Sequence, residues 1–202
     1  MKSSTIMPGL LICLTSLFAE NVIHVHVDGE LVDSGNDGIF EALKKDSMEI
    51  CVIASHKQRS SAVMEFKMPE KSMPSKKTVL RFFMNGKSGT TALPEKEDSY
   101  GPNCNLFGYL SPNADGELSL SDDGSGEKIA QVLDSKPADV KKPVMIDVTA
   151  FYNRAIKEKS AFIGFRIETA ESADSQNGWR FRTSKFGKTY SARWTPALIV
   201  SE

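Results

Sequence analysis

The residues whose types and spacing suit chemistry gather near the end of the sequence: Arg180, Arg182, Lys185, Tyr190, Arg193 and Trp194. Aromatic rings stack on the apolar face of a sugar ring, and arginine or lysine pairs with a carboxylate. The set therefore points to recognition of an acidic glycan rather than to bond making. In the alternating segment 179–185, Trp179, Phe181 and Thr183 fall on one face of a strand and Arg180, Arg182 and Ser184 on the other. With the tryptophan and the phenylalanine in a core, both arginines are expected in solvent on the outer sheet surface, with Lys185, Tyr190 and Arg193 close by. The competing reading is an ordinary solvated strand face whose arginines pair with cross-strand acids such as Glu168.

Other candidate chemistry is thinner. Asp33 and Asp37 stand in a turn-rich polar cluster, and Asp122, Asp123 and Glu127 in another. Both have the oxygen density of a calcium loop, but the second lacks the spacing of an EF-hand, so a structural calcium and a plain solvated loop stay open. His24 and His26 share a strand face without a third ligand nearby, which suits a solvated edge strand better than a metal site. Three Ser-Gly pairs occur, at Ser34, Ser88 and Ser125, and none lies in a G-x-S-x-G elbow. Tyr152, Tyr190 and His56 could serve a lyase as base, yet no spacing selects them. No catalytic residue, no enzyme and no required cofactor are expected.

The elements that must position these residues read as strands. With 202 residues, 40% hydrophobic and 25% charged, the chain suits one medium-sized globular domain. A net charge of −1 excludes a dedicated nucleic-acid or polybasic membrane partner, so basic recognition must be local. Lys2, the apolar run 7–18 and Ala19 read as a signal peptide over residues 1–19, too short for the ~20 residues that span a bilayer. A secreted protein, extracellular or periplasmic, with no membrane insertion after cleavage and a monomeric single domain over 21–202, is the expectation. Removal of Cys13 with that peptide leaves Cys51 and Cys104, a candidate disulfide in an oxidising compartment or else two buried or turn cysteines.

Strand patterns run through 22–27, 50–54, 62–68, 79–84 (closed by an Asn85-Gly86 turn), 106–110, 144–149, 161–169 and 196–200, with a weaker one over 117–120. Residues 129–133 fit helix or strand, residues 40–45 a helical turn and 150–156 one or two helical turns. In 161–169, Ile163, Phe165 and Ile167 face inward and Arg166 and Glu168 outward. Strand after strand with irregular loops and no βαβ alternation predicts an all-β antiparallel β-sandwich of jelly-roll type, with one or two short helical turns.

The order of these segments resembles the carbohydrate-binding module family known as the DNRLRE domain. Residues 61–68 are similar to its "L-x-F-D-L" strand and 78–82 to its "A-x-L-R-L" strand. Asp147-Val148-Thr149 matches a "D-V-T" element, 164–167 a following strand, 181–185 the "F-x-S-[RK]-E" segment and 196–200 the "P-x-L-x-V" segment. Lys67 and Phe186 stand where that family carries acidic residues. The resemblance implies a β-sandwich of secreted bacterial proteins, polysaccharide lyases among them. It adds to the residue-level expectation of a non-catalytic module with a polysaccharide ligand, an acidic glycan favoured. A structural or adhesive surface sandwich without a sugar site, and an unrecognised polysaccharide-active enzyme, are the alternatives. The D-V-T residues also have a purely structural role open to them, capping the helical turn that follows.

Overall fold

The computed structural model describes residues 20–55, 57–88, 103–123, 126–132, 142–170 and 177–201. The expected signal peptide, Cys13, His56 and the Gly124-Ser125 centre of the second acidic cluster lie outside the described residues.

Antiparallel strands dominate. In chain order they are β1 (Glu20–His24), β2 (Val27–Asp33), β3 (Ala42–Lys45), β4 (Glu49–Ala54), β5 (Arg59–Lys67), β6 (Lys77–Ser88), β7 (Cys104–Leu110), β8 (Glu127–Val132), β9 (Pro143–Asp147), β10 (Phe162–Thr169), β11 (Asn177–Arg182) and β12 (Ala197–Ser201). Two short helices join them, α1 (Thr149–Lys157) and α2 (Ser184–Tyr190). Hydrogen bonding runs β1-β12-β6-β11-β4-β5-β10-β7-β8, with β2 and β3 added beside β5 and β9 beside β6. The sheet curls over itself into a sandwich-like all-β fold, as the strand patterns predicted.

Period-two alternation decides the core. Leu80, Phe82 and Met84 of β6 meet Trp179 and Phe181 of β11, Ala62, Met64 and Phe66 of β5 and Ile163, Phe165 and Ile167 of β10. Edge-on ring pairs join neighbouring strands on the inner face, Phe82 of β6 with Phe181 of β11 at 5.2 Å and Phe66 of β5 with Phe165 of β10 at 5.8 Å. Helix α1 closes one side with Phe151, Tyr152 and Ala155. The D-V-T residues start it. Asp147 Oδ1 accepts the Thr149 N–H at 2.9 Å and its hydroxyl at 2.6 Å, while Thr149 Oγ1 accepts the Thr78 N–H. These bonds hold the Asp147 carboxyl below its ordinary pKa.

Several expectations fail for identifiable reasons. Residues 22–27 are not one strand. The chain crosses between layers at Val25 and His26, whose N–H groups donate to Pro196 O and Glu65 O. Residues 42–45 are strand β3 rather than a helical turn, because β2 pairs with them and Lys44 reaches the buried Glu30 at 3.1 Å. Asn85 and Gly86 form no turn, since β11 continues the ladder past them to Ser88. Residues 117–120 form no strand. Leu118 instead enters a second apolar cluster with Leu31, Phe40, Val63, Tyr109 and Ala114 on the far side of β5. Arg166 and Glu168 are not outward in solvent either, because that far side is covered and both are buried. Residues 129–132 belong to strand β8, and Leu133 lies outside the described residues.

The bridge between Cys51 and Cys104 does not form: both are thiols. Cys51 lies on β4 and Cys104 on β7, with β5 and β10 between those strands in the sheet order. Burial pushes the Cys104 thiol up to about 12.

Candidate functional site

The outer face of β6 and β11 is the place to look, because the inner face is spent on the core. Leu80, Phe82 and Met84 point inward, which sends Arg81, Phe83 and Asn85 outward. On β11, Trp179 and Phe181 point inward and Arg180 and Arg182 outward, with Arg180 in register with Gly86 and, past a bulge, Phe181 with Met84. A Cβ at Gly86 would lie 3.1 Å from Arg180 Nη2, so glycine leaves room for that guanidinium.

After Arg182 the strand does not continue to Lys185, as alternation alone suggested. Thr183 caps α2, its Oγ1 accepting the Phe186 N–H at 3.3 Å, and the Asp28 carboxylate accepts the Ser184 hydroxyl at 2.8 Å together with its N–H. Desolvation raises the Asp28 pKa, with the Ser184 bonds pulling the other way. Gly187 sits inside the helix rather than in a turn, and it allows the helix to press on Thr195. Helix α2 and the 3-10 turn Ala192–Trp194 thereby fold back over the outer face.

That return buries Arg182, contrary to the expectation that it lies in solvent: it is only 6% exposed. Its guanidinium lies 4.1 Å from the Trp194 ring centre and 4.6 Å from that of Phe186, and its Nε donates to Asn85 Oδ1 at 2.9 Å. Trp194 meets Phe83 edge-on at 4.9 Å, and Arg193 covers Trp194 at 4.6 Å. Tyr190 leans on Phe186 at 4.7 Å and is 66% exposed. Arg81 approaches Phe83 at 5.7 Å.

Two polar atoms of this cluster are buried without a hydrogen bond, Arg182 Nη1 and Arg81 Nε. Burial lowers the pKa of both arginines, and for Arg182 the neighbouring Arg193 adds to the effect while Glu49 opposes it. Glu49 is engaged by Arg180 at 3.4 Å and by the Asn85 amide. The arrangement is an aromatic-lined cationic face with guanidinium donors to spare, suited to an anionic group carried on an apolar ring.

Of the predicted residues, the fold thus brings Arg182, Tyr190, Arg193 and Trp194 together and sets Arg180 beside Glu49. Lys185 is held apart, its Nζ bonded to Asp46 O. Arg81, Phe83, Asn85 and Phe186 were missed. The strand 79–84 was legible, and asking what its outward positions carry would have found the first two.

The acidic residues take part in hydrogen bonds and ion pairs within the protein. Asp122 is buried and accepts the Ser119 N–H at 2.8 Å, and its backbone carbonyl takes an Arg166 N–H at 2.9 Å. Glu127 pairs with Arg154 at 2.7 Å, and Asp123 lies half-buried beside Asp122. Carboxylate oxygens of Asp33, Asp37 and Glu41 lie within 4.8 Å of one another. Each accepts backbone N–H groups: Asp33 from Asp37 and Gly38, Asp37 from Ile39, Glu41 from Ser34. His26 stacks on Phe162 at 5.6 Å, and among the described residues no group of convergent ligands includes a histidine. A groove of about 470 Å³ separates β8 from α1, lined by Glu127, Lys128, Asp147, Phe151 and Arg154. No described helix is long and apolar enough to cross a membrane. No protein-family model and no curated protein matches the chain.

Proposed function

We propose that this chain is a non-catalytic carbohydrate-binding module that takes an acidic polysaccharide on the outer face of β6 and β11. The observation that carries the reading is Arg182: a buried guanidinium between Trp194 and Phe186 that keeps an unbonded N–H, with Arg81 in the same condition nearby. A buried donor without a partner is costly, and an oxyanion admitted by a shift of α2 and the turn that follows it would satisfy it. Tyr190 offers an exposed ring for the apolar face of a sugar, and Arg193 adds a second cation at the rim. Secretion fits this role and rests on the sequence of residues 1–19.

Retention on immobilised acidic and neutral glycans tests the reading. Wild-type protein should be retained on the acidic matrix in a salt-sensitive manner, and Arg193→Ser with Tyr190→Ala should elute early while melting normally. Equal elution of wild type and variant overturns the site. Product release from a retained glycan would replace the module by an enzyme.

A further inference from the structure

Away from the basic face, the far side of β5 holds a charged side chain that the proposed function does not use. Glu65 is fully buried, in register with Val27 of β2 and Gly164 of β10. The chain from Ser111 to Ser119 crosses directly above it. Gly116 N–H donates to Glu65 Oε2 at 2.7 Å, and a Cβ at Gly116 would collide with the Phe162 ring, so the segment lies tight against the sheet. Its other anchors include Ser111 N–H to Ser160 Oγ, Phe162 N–H to Ser111 Oγ, Ala114 N–H to Leu110 O, Ser119 N–H to Asp122 Oδ2, and the apolar contacts of Ala114 and Leu118 with Tyr109, Val63, Leu31 and Phe40.

The other oxygen, Oε1, and the Tyr109 hydroxyl face one another without a hydrogen bond of ordinary geometry, and the hydroxyl draws the carboxyl towards its ionised form. Among the described residues no cation pairs with the buried Glu65, which is unfavourable to charge and favourable to a proton, while the Tyr109 hydroxyl can donate to the ionised oxygen or accept from the protonated one.

The surroundings add to this. Asp115 of the covering segment and Asp122 of the turn just after it act on Glu65, both acidic, with Glu117 exposed beside Gly116. From β7 comes Tyr109. From β10 come Arg166 and Glu168, but Arg166 is committed to Glu168 and to Asp122 O, and Glu168 also to Arg59. Strand β2 carries Asp28 and Glu30, the latter paired with Lys44, and on β5 itself Lys67 is exposed two residues on. His26, before β2, meets Glu65 through its N–H to the backbone carbonyl. Desolvation first, then the acids Asp122 and Asp115, raise the carboxyl to about 7 against the Gly116 N–H and the Tyr109 hydroxyl, which lower it.

We propose that Glu65 is a proton-operated latch: as a carboxylic acid it keeps residues 111–119 clamped over β5, β7 and β10, and on losing its proton to solvent it lifts that segment and uncovers the second apolar cluster. Water entering beneath the segment would hydrate the carboxylate, which the closed structure cannot do. The exposed surface would be that of Leu118, Ala114, Tyr109 and Val63.

Hydrogen exchange of the full chain, corrected for the intrinsic pH dependence, reads the latch directly. Protection of the 112–119 amides should fall at least tenfold between pH 5.5 and 8.5, while β6 and β11 stay protected, and Glu65→Gln should remain closed throughout. The carbon-13 shift of the Glu65 carboxyl in wild-type protein needs no variant and should titrate near 7. A carboxyl that titrates in the ordinary range overturns the proposal, as does titration near 7 with the segment protected at every pH. Glycan retention at fixed pH is a separate readout, so failure of one proposal leaves the other standing.

Discussion

Arg182 lies against the Trp194 ring at 4.1 Å, although the two residues come from a sheet and from a turn beyond the next helix. That contact makes the arginine both a packing element and a donor, and the two roles separate by mutation. Arg182→Ser removes the Asn85 bond and two ring contacts, and should cost about 1–3 kcal/mol of stability. Arg193→Ser, at an exposed position, should change stability by less than about 0.5 kcal/mol while weakening acidic-glycan retention. Urea melts alongside the retention assay decide this.

Gly187 sets how closely α2 approaches the turn. A Cβ there would lie 1.9 Å from Thr195 Oγ1, so Gly187→Ala must push the helix away from the sheet. A loss of about 1–3 kcal/mol is expected. Tryptophan fluorescence should also shift as Trp194 becomes wetter, and an unshifted spectrum at wild-type stability would refute the close contact.

Stability should fall with rising pH. Glu65 is raised from 4.5 to about 7, and Asp28 and Asp122 are also raised, all chiefly by desolvation. A raised carboxyl binds its proton more tightly folded than unfolded. Its stabilising contribution is therefore complete below its unfolded value of 4.5 and is lost as pH rises through 7. The urea midpoint should be higher at pH 5 than at pH 8, and Glu65→Gln should flatten the difference. Asp147, which is lowered, has the opposite sign and acts only at more acidic pH.

The cysteines give a chemical check. Cys51 and Cys104 should both react with a thiol reagent in denatured, non-reduced protein. In native protein Cys104, buried and held at about 12, should react far more slowly than the half-buried Cys51.

Asp33 organises its loop through two amide bonds, so Asp33→Ala should destabilise by about 1–3 kcal/mol by orphaning the Asp37 and Gly38 N–H groups. Because Asp33, Asp37 and Glu41 all accept backbone donors, excess chelator should leave the melting curve unchanged. A lowered melting temperature would instead reveal a bound ion.

What the sequence disclosed is what strand periodicity controls. Trp179 and Phe181 against Arg180 and Arg182, or Ile163, Phe165 and Ile167 against Arg166, sort correctly between the two faces of their strands. Periodicity says nothing about whether the second face meets water. Arg182 is covered by α2, and Arg166 and Glu168 by the segment from Ser111 to Asp122; these coverings are tertiary events without a local signature. The same limit applies to Asn85 and Gly86, whose turn chemistry yields to a ladder supplied by β11. The candidate site was half legible: its aromatic and basic residues near 190 were apparent, but Arg81 and Phe83 join them from a strand a hundred positions away.

Strand β1 pairs with β12, Glu20 opposite Ser201 and His24 opposite Ala197. The same β12 supplies a neighbour for β6, so that edge cannot close until nearly all of the described chain has been synthesised. Until β12 has been made, β1 and the first residues of β6 lack the strand they share. Such long-range pairing makes assembly slow and concentrates it in a late step. An intermediate that has not yet docked β12 would accordingly present two open strand edges to chaperones, and docking of that one strand would zip both shut.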